Sequence, residues 1–466
     1  MNQPTRIDRR TLLKAAAAAT GFTIVPRSVI AGSGRPAPSD TLHVAIIGTG
    51  GQGVVNLKAL FQEDDVRVVA IADPNEESDY RSWYYGGTAG RLPALKLIDD
   101  TYRQKDATAF KPCQAYVDFR EMLEKEKGID AVLVATPDHL HAYVSLAVLA
   151  LKKHLYCEKP LCRSIYEVQK VVAAAKEAGV ATQMGNYGHS GEGLRLFCEW
   201  IWDGAIGPVR EVHAWATFPP LNTFKERPAE TVPTPPGLNW DIWLGPAPER
   251  PYHPAYTPVT WRPWHDFGTG MMGDFACHHL DPAFMALKLD YPESVEAVHY
   301  GAGRETYPFA ATIYMDFPAR GDQPPVRLTW YDNGLRPPTP EELGPTRKLG
   351  QHGILIVGDT GKILGGGWSQ SPRLIPEEAM QAYKRPPRTL RRVKGHHRDW
   401  IDACKGGEPS SANFETVGRM VEAVLMGAIA ERVGEKLRWD TATGRFSNSP
   451  RANEMVTPAF RKGWEV

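Results

Sequence analysis

The chain has 466 residues, 54 lysines and arginines balanced by 54 aspartates and glutamates, and 42% hydrophobic content. This fits a soluble protein of two or three domains and excludes intrinsic disorder, collagen and coiled coil. With zero formal net charge and no basic run, neither nucleic acid nor an acidic membrane surface is the expected partner, and a neutral small molecule is. The 39 prolines, 43 glycines and 13 tryptophans lean weakly toward a carbohydrate pocket. Six scattered cysteines form no CxxC pair and no cluster at zinc spacing, so they read as reduced core residues and no metal site is expected.

In chain order, Arg9 and Arg10 precede Leu12, Leu13 and the alanine run Ala15 to Ala19, which continues into Gly21 to Val25. A charged segment followed by a short, mildly apolar one reads as a twin-arginine export signal, residues 1–31, with cleavage after Ala31 and a linker over 32–40. The apolar stretch is shorter than the roughly 20 residues of a membrane span, so no stable span is expected once the signal is removed. The expected location is the periplasm or beyond.

Thr41 to Ile47 reads as a buried strand, Gly48-Thr-Gly50-Gly-Gln-Gly53 follows at once, and Val54 to Phe61 has helical apolar spacing. The next strand, Val66 to Ala72, ends in Asp73. This is the context in which a GxGxxG turn binds a dinucleotide. Gly48 permits the turn, Gly50 lets the backbone approach the pyrophosphate, and Gly53 allows close helix–strand packing. Asp73 is placed to accept from the adenosine ribose and to repel a 2′-phosphate, which favours NAD over NADP. Further βαβ alternation through Met184 predicts a Rossmann domain over 41–186, with Thr136, His141, Glu158, Lys159 and Tyr187 at or near strand ends where ligand binds. His141 either lines the nicotinamide ribose or caps its helix, and Glu158 either touches cofactor or orders the Lys159 loop.

From about Gly188 the pattern changes to a helix near Gly193 to Asp203, a strand at Val209 to Ala216, and a long Pro/Trp-rich segment from Phe218 to Phe267. Alternating strands and two late helices then predict an α/β domain over 187–450 with an open, mostly antiparallel sheet, followed by a tail over 451–466. Met272 to Leu287 has helical spacing, which puts Asp274 and His278 on one helix face, where the carboxylate fixes the tautomer of the imidazole. Lys159, at a strand end near the expected nicotinamide, stabilises a developing alkoxide. Tyr187, His189, Arg262 and Trp264 are candidate sugar contacts by placement, and His279, turned about 100° from His278, is structural.

The GTGGQG turn with Asp73, the Ala-Thr-Pro-Asp-His-Leu-His segment from Ala135, Glu158-Lys159-Pro160, Gly204 to Gly207, and Gly270-Met-Met-Gly-Asp274 to His278 resemble the Gfo/Idh/MocA oxidoreductases. The likeness spans roughly Thr41 to Asp440. It implies a Rossmann domain followed by an α/β domain whose open sheet walls the substrate site. It also implies that Lys159, Asp274 and His278 form the catalytic triad, with His278 taking the hydroxyl proton. A homo-oligomer is expected.

Three readings follow. The first is an NAD-dependent oxidoreductase acting on a sugar, polyol or glycoside. The second is an NAD-dependent glycoside hydrolase that oxidises, eliminates and returns its hydride, with Tyr187 or His189 as the extra acid/base. The third, a non-catalytic sugar- or cofactor-binding protein, is disfavoured by the triad. Export of a folded protein to a place where free NAD is scarce further implies a tightly held nicotinamide. Asp73→Ser together with a nearby introduced arginine is expected to shift affinity from NAD toward NADP in direct titrations. Equal affinity of the wild type for both would contradict the role given to Asp73.

Overall fold

Why the chain builds its first sheet is visible in the burial of its strands. The computed structural model describes residues 40–83, 85–108, 110–218 and 226–466, and the expected export signal lies outside them. β1 (Leu42–Ile47) and β2 (Val66–Ala72) are followed by a small ribbon of β3 (Ser78–Asp79) and β4 (Thr88–Ala89), then by β5 (Gln114–Tyr116), β6 (Ala131–Val134), β7 (His154–Cys157) and β8 (Thr182–Met184). Both faces of β1 and β6 are covered by helices, so Val44, Ala45, Ile46, Val132 and Leu133 are all fully buried, as continuous apolar runs in a parallel sheet require. The order β5-β2-β1-β6-β7-β8 is parallel throughout. It reverses direction between β1 and β6, which opens a crevice at their carboxyl ends.

The second sheet holds β9 (Val209–Ala216), β10 (Ser294–Tyr300), β11 (Ala310–Phe317), β12 (Val326–Asp332), β13 (Gly353–Gly358), β14 (Lys362–Gly365), β15 (Arg373–Ile375), β16 (Leu437–Asp440) and β17 (Arg445–Phe446). Its order is β15-β14-β13-β9-β12-β11-β10-β16-β17, antiparallel except for the pair β9–β12. Strict alternation along β11 buries Ala311, Ile313, Met315 and Phe317 on one face. The helix Phe414–Val433 packs against that sheet and also against the helix Ile165–Ala178 of the first domain. It is therefore buried almost all round, and one apolar core runs through both domains.

Two expectations are corrected. The helical pattern from Met272 to Leu287 is two helices, Gly270–His279 and Asp281–Leu287, because Pro282 lacks an N–H and opens a new helix after Leu280. The stretch expected as a tail is also structured. Its residues form the helix Pro450–Val456 and then return to the first domain, where Trp464 is buried against Phe119 and Tyr143 with the Arg120 guanidinium over its ring. All six cysteines are unpaired, and five of them are buried.

Gly427 of the long helix lets the helix Gly270–His279 approach closely. A Cβ there would lie 2.8 Å from Met272 Cε and 2.9 Å from Met315 Cε. Flexible methionine ends can yield to a methyl group but not to an isobutyl. Gly427→Leu is expected to lower stability by about 1–3 kcal/mol in urea unfolding, and Gly427→Ala by clearly less.

Candidate functional site

The crevice between β1 and β6 continues into a cavity of about 750 Å³. Its first half is the dinucleotide turn. Gly48 has φ +88°, and a Cβ there would sit 2.6 Å from the main chain of Ala135 at the end of β6. Only glycine meets both demands. A side chain on Gly53 would collide with the Gly48 carbonyl, so the helix Gly51–Leu60 packs tightly behind the turn, as expected. Asp73 is buried at the end of β2. One carboxylate oxygen accepts from the Thr49 amide (2.7 Å) and hydroxyl (3.2 Å), and the other from the Asn75 amide (2.9 Å). Burial nevertheless pushes its pKa above the ordinary carboxylate value. A glycine cradle, a helix N-terminus and a strand-end carboxylate are the donor and acceptor set that a pyrophosphate and a ribose diol require, so the residues present fit NAD.

Behind the turn, Glu158 accepts from Asn56 Nδ2 (2.8 Å), and Asn56 Oδ1 lies 3.1 Å from His397 Nε2. The Glu158 carboxylate also accepts from the Lys159 amide at 3.3 Å, and burial raises its pKa. Glu158 thus lines the cavity while ordering the Lys159 loop.

The second half of the cavity centres on Asp274. Lys159 Nζ donates to Asp274 Oδ1 at 2.5 Å and to the Asp274 carbonyl at 2.8 Å. Arg262 Nε lies 3.3 Å from Asp274 Oδ2. Burial alone would raise the Asp274 pKa, but the charges of Lys159 and Arg262 outweigh it and hold the carboxyl at about 2. Lys159 moves the other way, because the attraction of Asp274 overcomes burial and raises its pKa. His278, one helical turn on from Asp274, lines the same space. Burial first, and the neighbouring Lys159 charge second, keep its pKa well below 6.5, so the imidazole is neutral. Its Nδ1 is buried with no hydrogen-bond partner among the described residues. The expectation that Asp274 fixes the tautomer of His278 is therefore corrected, since both carboxylate oxygens face cations. The helix carrying both residues is anchored at its start, where the Thr269 hydroxyl donates to Asp138 Oδ2 at 2.7 Å.

Gly48, Gly50, Asp73, Thr136, Glu158, Lys159, Tyr187, Arg262, Asp274 and His278 all line this one cavity. Four candidates do not: Gly53 lies behind the turn, where its lack of a side chain lets the helix pack, and the other three turn away from the cavity. His141 is buried with Nδ1 2.7 Å from the Pro160 carbonyl and Nε2 2.9 Å from the Thr136 carbonyl, so it ties two strand-end loops together from behind. His189 is buried on Asp281, with Nδ1 2.9 Å from Oδ1. Trp264 sits in a satellite core with Tyr256 and Phe267, its indole N–H on the Ala255 carbonyl. These last three failed for one reason: strand-end or loop placement does not say which way a side chain turns.

An aromatic wall, carried by segments with no motif of their own, completes the cavity. Trp368, from the turn after β14, lies nearly parallel to the Tyr187 ring at 6.4 Å, and His278 sits beside both. His352, just before β13, also lines the cavity, with Nδ1 3.3 Å from His279 Nε2. His279 Nδ1 in turn donates to the Phe275 carbonyl at 3.0 Å. Trp243 and Trp261 also line the cavity, and the density of tryptophan in the Pro/Trp-rich segment is the signal that points to them.

Residues 42–186 match the family model described as oxidoreductase family, NAD-binding Rossmann fold, and residues 222–305 match its partner, described as oxidoreductase family, C-terminal alpha/beta domain. The chain belongs to the Gfo/Idh/MocA oxidoreductase family. Its first domain is an NAD-binding Rossmann domain. Among curated relatives it is 34% identical over 151 residues to a glycosyl hydrolase family 109 protein of Stenotrophomonas maltophilia, covering 32% of this chain and 29% of the relative. It is 34% identical over 93 residues to 2,7-anhydro-N-acetylneuraminate hydratase of Escherichia coli, covering 20% and 25%. It is 26% identical over 166 residues to myo-inositol 2-dehydrogenase of Thermotoga maritima, covering 36% and 42%. The matched stretches thus span well under half of these relatives. The WlbA dehydrogenase of Bordetella pertussis, solved with NADH and UDP-GlcNAcA, shares the fold at TM-score 0.56 and 16% identity, over 86% of this chain and 99% of that one.

Asp274→Asn leaves two partly buried cations facing a neutral amide. Loss of about 3–5 kcal/mol is expected in urea unfolding, the range for breaking a buried ion pair by removing one partner. A loss below 1 kcal/mol would show that the cations are solvated after all.

Proposed function

We propose that this protein is an exported, NAD-dependent oxidoreductase acting on a hydroxyl of a sugar, polyol or glycoside. The observation that carries the reading is the Lys159–Asp274–Arg262 cluster beside a neutral His278, at the end of the cavity away from the dinucleotide turn. NAD, held by the glycine turn and Asp73, supplies a hydride acceptor when bound. The chain's own residues do the remaining work. Lys159, kept cationic and aimed by Asp274, donates to the substrate oxygen and favours its alkoxide form. His278, neutral and adjacent, takes the hydroxyl proton. Tyr187 and Trp368 offer ring faces to the apolar side of a sugar, and the mixed charges of the cluster leave a neutral substrate as the better match.

A second reading, the oxidation–elimination route of an NAD-dependent glycosidase, is favoured by one observation. His352 gives the cavity a second imidazole beyond His278, and Tyr187 a phenol, so an additional proton carrier is available for a leaving group. His189, weighed earlier for this role, is turned away. Relatives named as a hydratase and a glycosyl hydrolase accord with it. We extend the proposal to twin-arginine export on the Arg9-Arg10 segment. We also extend it to homo-oligomerisation, supported by the exposed Val298 and Tyr300 on β10.

The experiment is turnover of a sugar and polyol panel by the full chain, followed at 340 nm and by product analysis. Lys159→Ala and His278→Ala are each expected to lower kcat by about 10²- to 10⁴-fold with NAD binding retained. His278 works only while neutral, and its lowered pKa keeps it neutral as pH falls through 6.5, so the acid limb of kcat/KM is expected below 6.5. A limb at 6.5 or above, or near wild-type turnover in either variant, would overturn the assignment.

A further inference from the structure

The segment after β2 is longer than a bare Rossmann connection, and the structure shows where its extra residues go. Tyr80 lies directly over the glycine turn. A Cβ on Gly50 would meet its hydroxyl at 2.7 Å, and one on Gly51 would meet its ring at 3.2 Å. Tyr85 packs edge-on against Tyr80, with ring centroids 6.1 Å apart. The β3–β4 ribbon that carries Tyr80 is tied down on the turn itself, because the Gly90 amide donates to the Thr49 carbonyl at 2.9 Å.

The same segment is joined on its other side to the Pro/Trp-rich segment of the second domain. The Glu76 amide donates to the Gly237 carbonyl (2.9 Å), the Asn239 amide donates to the Pro74 carbonyl (2.8 Å), and Asn75 and Leu238 form an antiparallel bridge. Gly237 has φ +84°, and a Cβ there would stand 2.6 Å from the Glu76 carboxylate, so the two strands meet at a left-handed residue where a side chain would strain the backbone and push Glu76 aside. Arg91 fastens the base of the segment, donating to the Asp73 carbonyl at 2.6 Å and to Glu76 at 3.2 Å. Asn75, Ser78, Tyr80, Pro235, Pro236 and Leu238 all face the cofactor half of the cavity.

These contacts form a roof of two backbone-paired segments across the crevice where a dinucleotide lies. We propose that Tyr80 is a cofactor-binding residue whose hydroxyl donates to the pyrophosphate, and that the paired segments 74–80 and 235–239 close over NAD and hold it through successive turnovers. The proposal rests on the NAD reading above and adds a residue and a retention device to it. A pyrophosphate brings charge to the turn, and a phenol O–H is a donor of the right kind to meet it. Departure of the nucleotide requires the Glu76–Gly237 and Asn239–Pro74 pairs to part together, which makes release slow without making binding geometry unusual. An enzyme with such a roof resets its nicotinamide in place, through a second substrate or a returned hydride.

The test uses the full chain loaded with NADH and chased with excess NAD, with release followed by loss of NADH fluorescence. Wild type is expected to release over minutes to hours. Tyr80→Phe, which keeps the ring and loses one hydrogen bond to a charged group, is expected to release about 10- to 100-fold faster. Gly237→Ala, on the facing strand, is expected to speed release as well, with thermal unfolding of the nucleotide-free protein little changed in Tyr80→Phe. Release from wild type within seconds, or rates unchanged in both variants, would overturn the roof while leaving NAD binding intact. Absence of any NADH binding would instead overturn the underlying NAD reading.

Discussion

A largely enclosed carboxylate caught between two cations is the constraint on which the reaction side of the cavity depends. Asp274 is reached by Lys159 from the end of β7, by Arg262 from the Pro/Trp-rich segment, and is itself held on the helix Gly270–His279. A lysine from 115 residues away and an arginine from the loop just before the helix therefore meet at one charge. Such a cluster contributes little net stability, because desolvation of the ions offsets most of their attraction. Its effect is geometric. It gives Lys159 a fixed direction, while burial, with the Lys159 charge second, keeps the neighbouring imidazole uncharged, so that a proton donor and a proton acceptor line one cavity without neutralising each other.

The anchoring of that cluster explains why the two domains share a core. The helix bearing Asp274 and His278 starts at Thr269, which is bonded to Asp138 at the end of the first sheet, and packs on the long helix that touches both sheets. His139 reinforces the joint, its ring nitrogens 3.2 and 2.8 Å from the carbonyls of Phe267 and Trp243. Cofactor half and substrate half are thus registered by hydrogen bonds between buried groups, which tolerate less displacement than an apolar contact would.

Much of this was legible in the sequence. The parallel sheet was visible because its strands are buried on both faces and read as unbroken apolar runs, and the glycine turn was visible because its context fixes its chemistry. Lys159, Asp274 and His278 could be paired because two of them sit one helical turn apart and the third at a strand end. What could not be read was orientation. His141, His189 and Trp264 occupy plausible positions, but their side chains turn toward carbonyls or core. The charge partner of Asp274 was misjudged for the same reason, since proximity along a helix says nothing of a lysine and an arginine arriving from elsewhere. Trp368 and His352 were missed because the turn and loop that carry them have no periodic signal of their own.

The packing of Trp464 on Phe119 and Tyr143 has a consequence for the order in which the molecule is completed. The nucleotide-binding half has its strands by residue 184, yet the Phe119–Tyr143 patch of its apolar surface is covered by Trp464. During synthesis that half emerges early and waits, unsealed, for nearly three hundred residues to follow. Trp464 thus acts as a closing stitch, and a nascent chain halted before it holds Lys159, Asp274 and His278 together with an exposed hydrophobic seam.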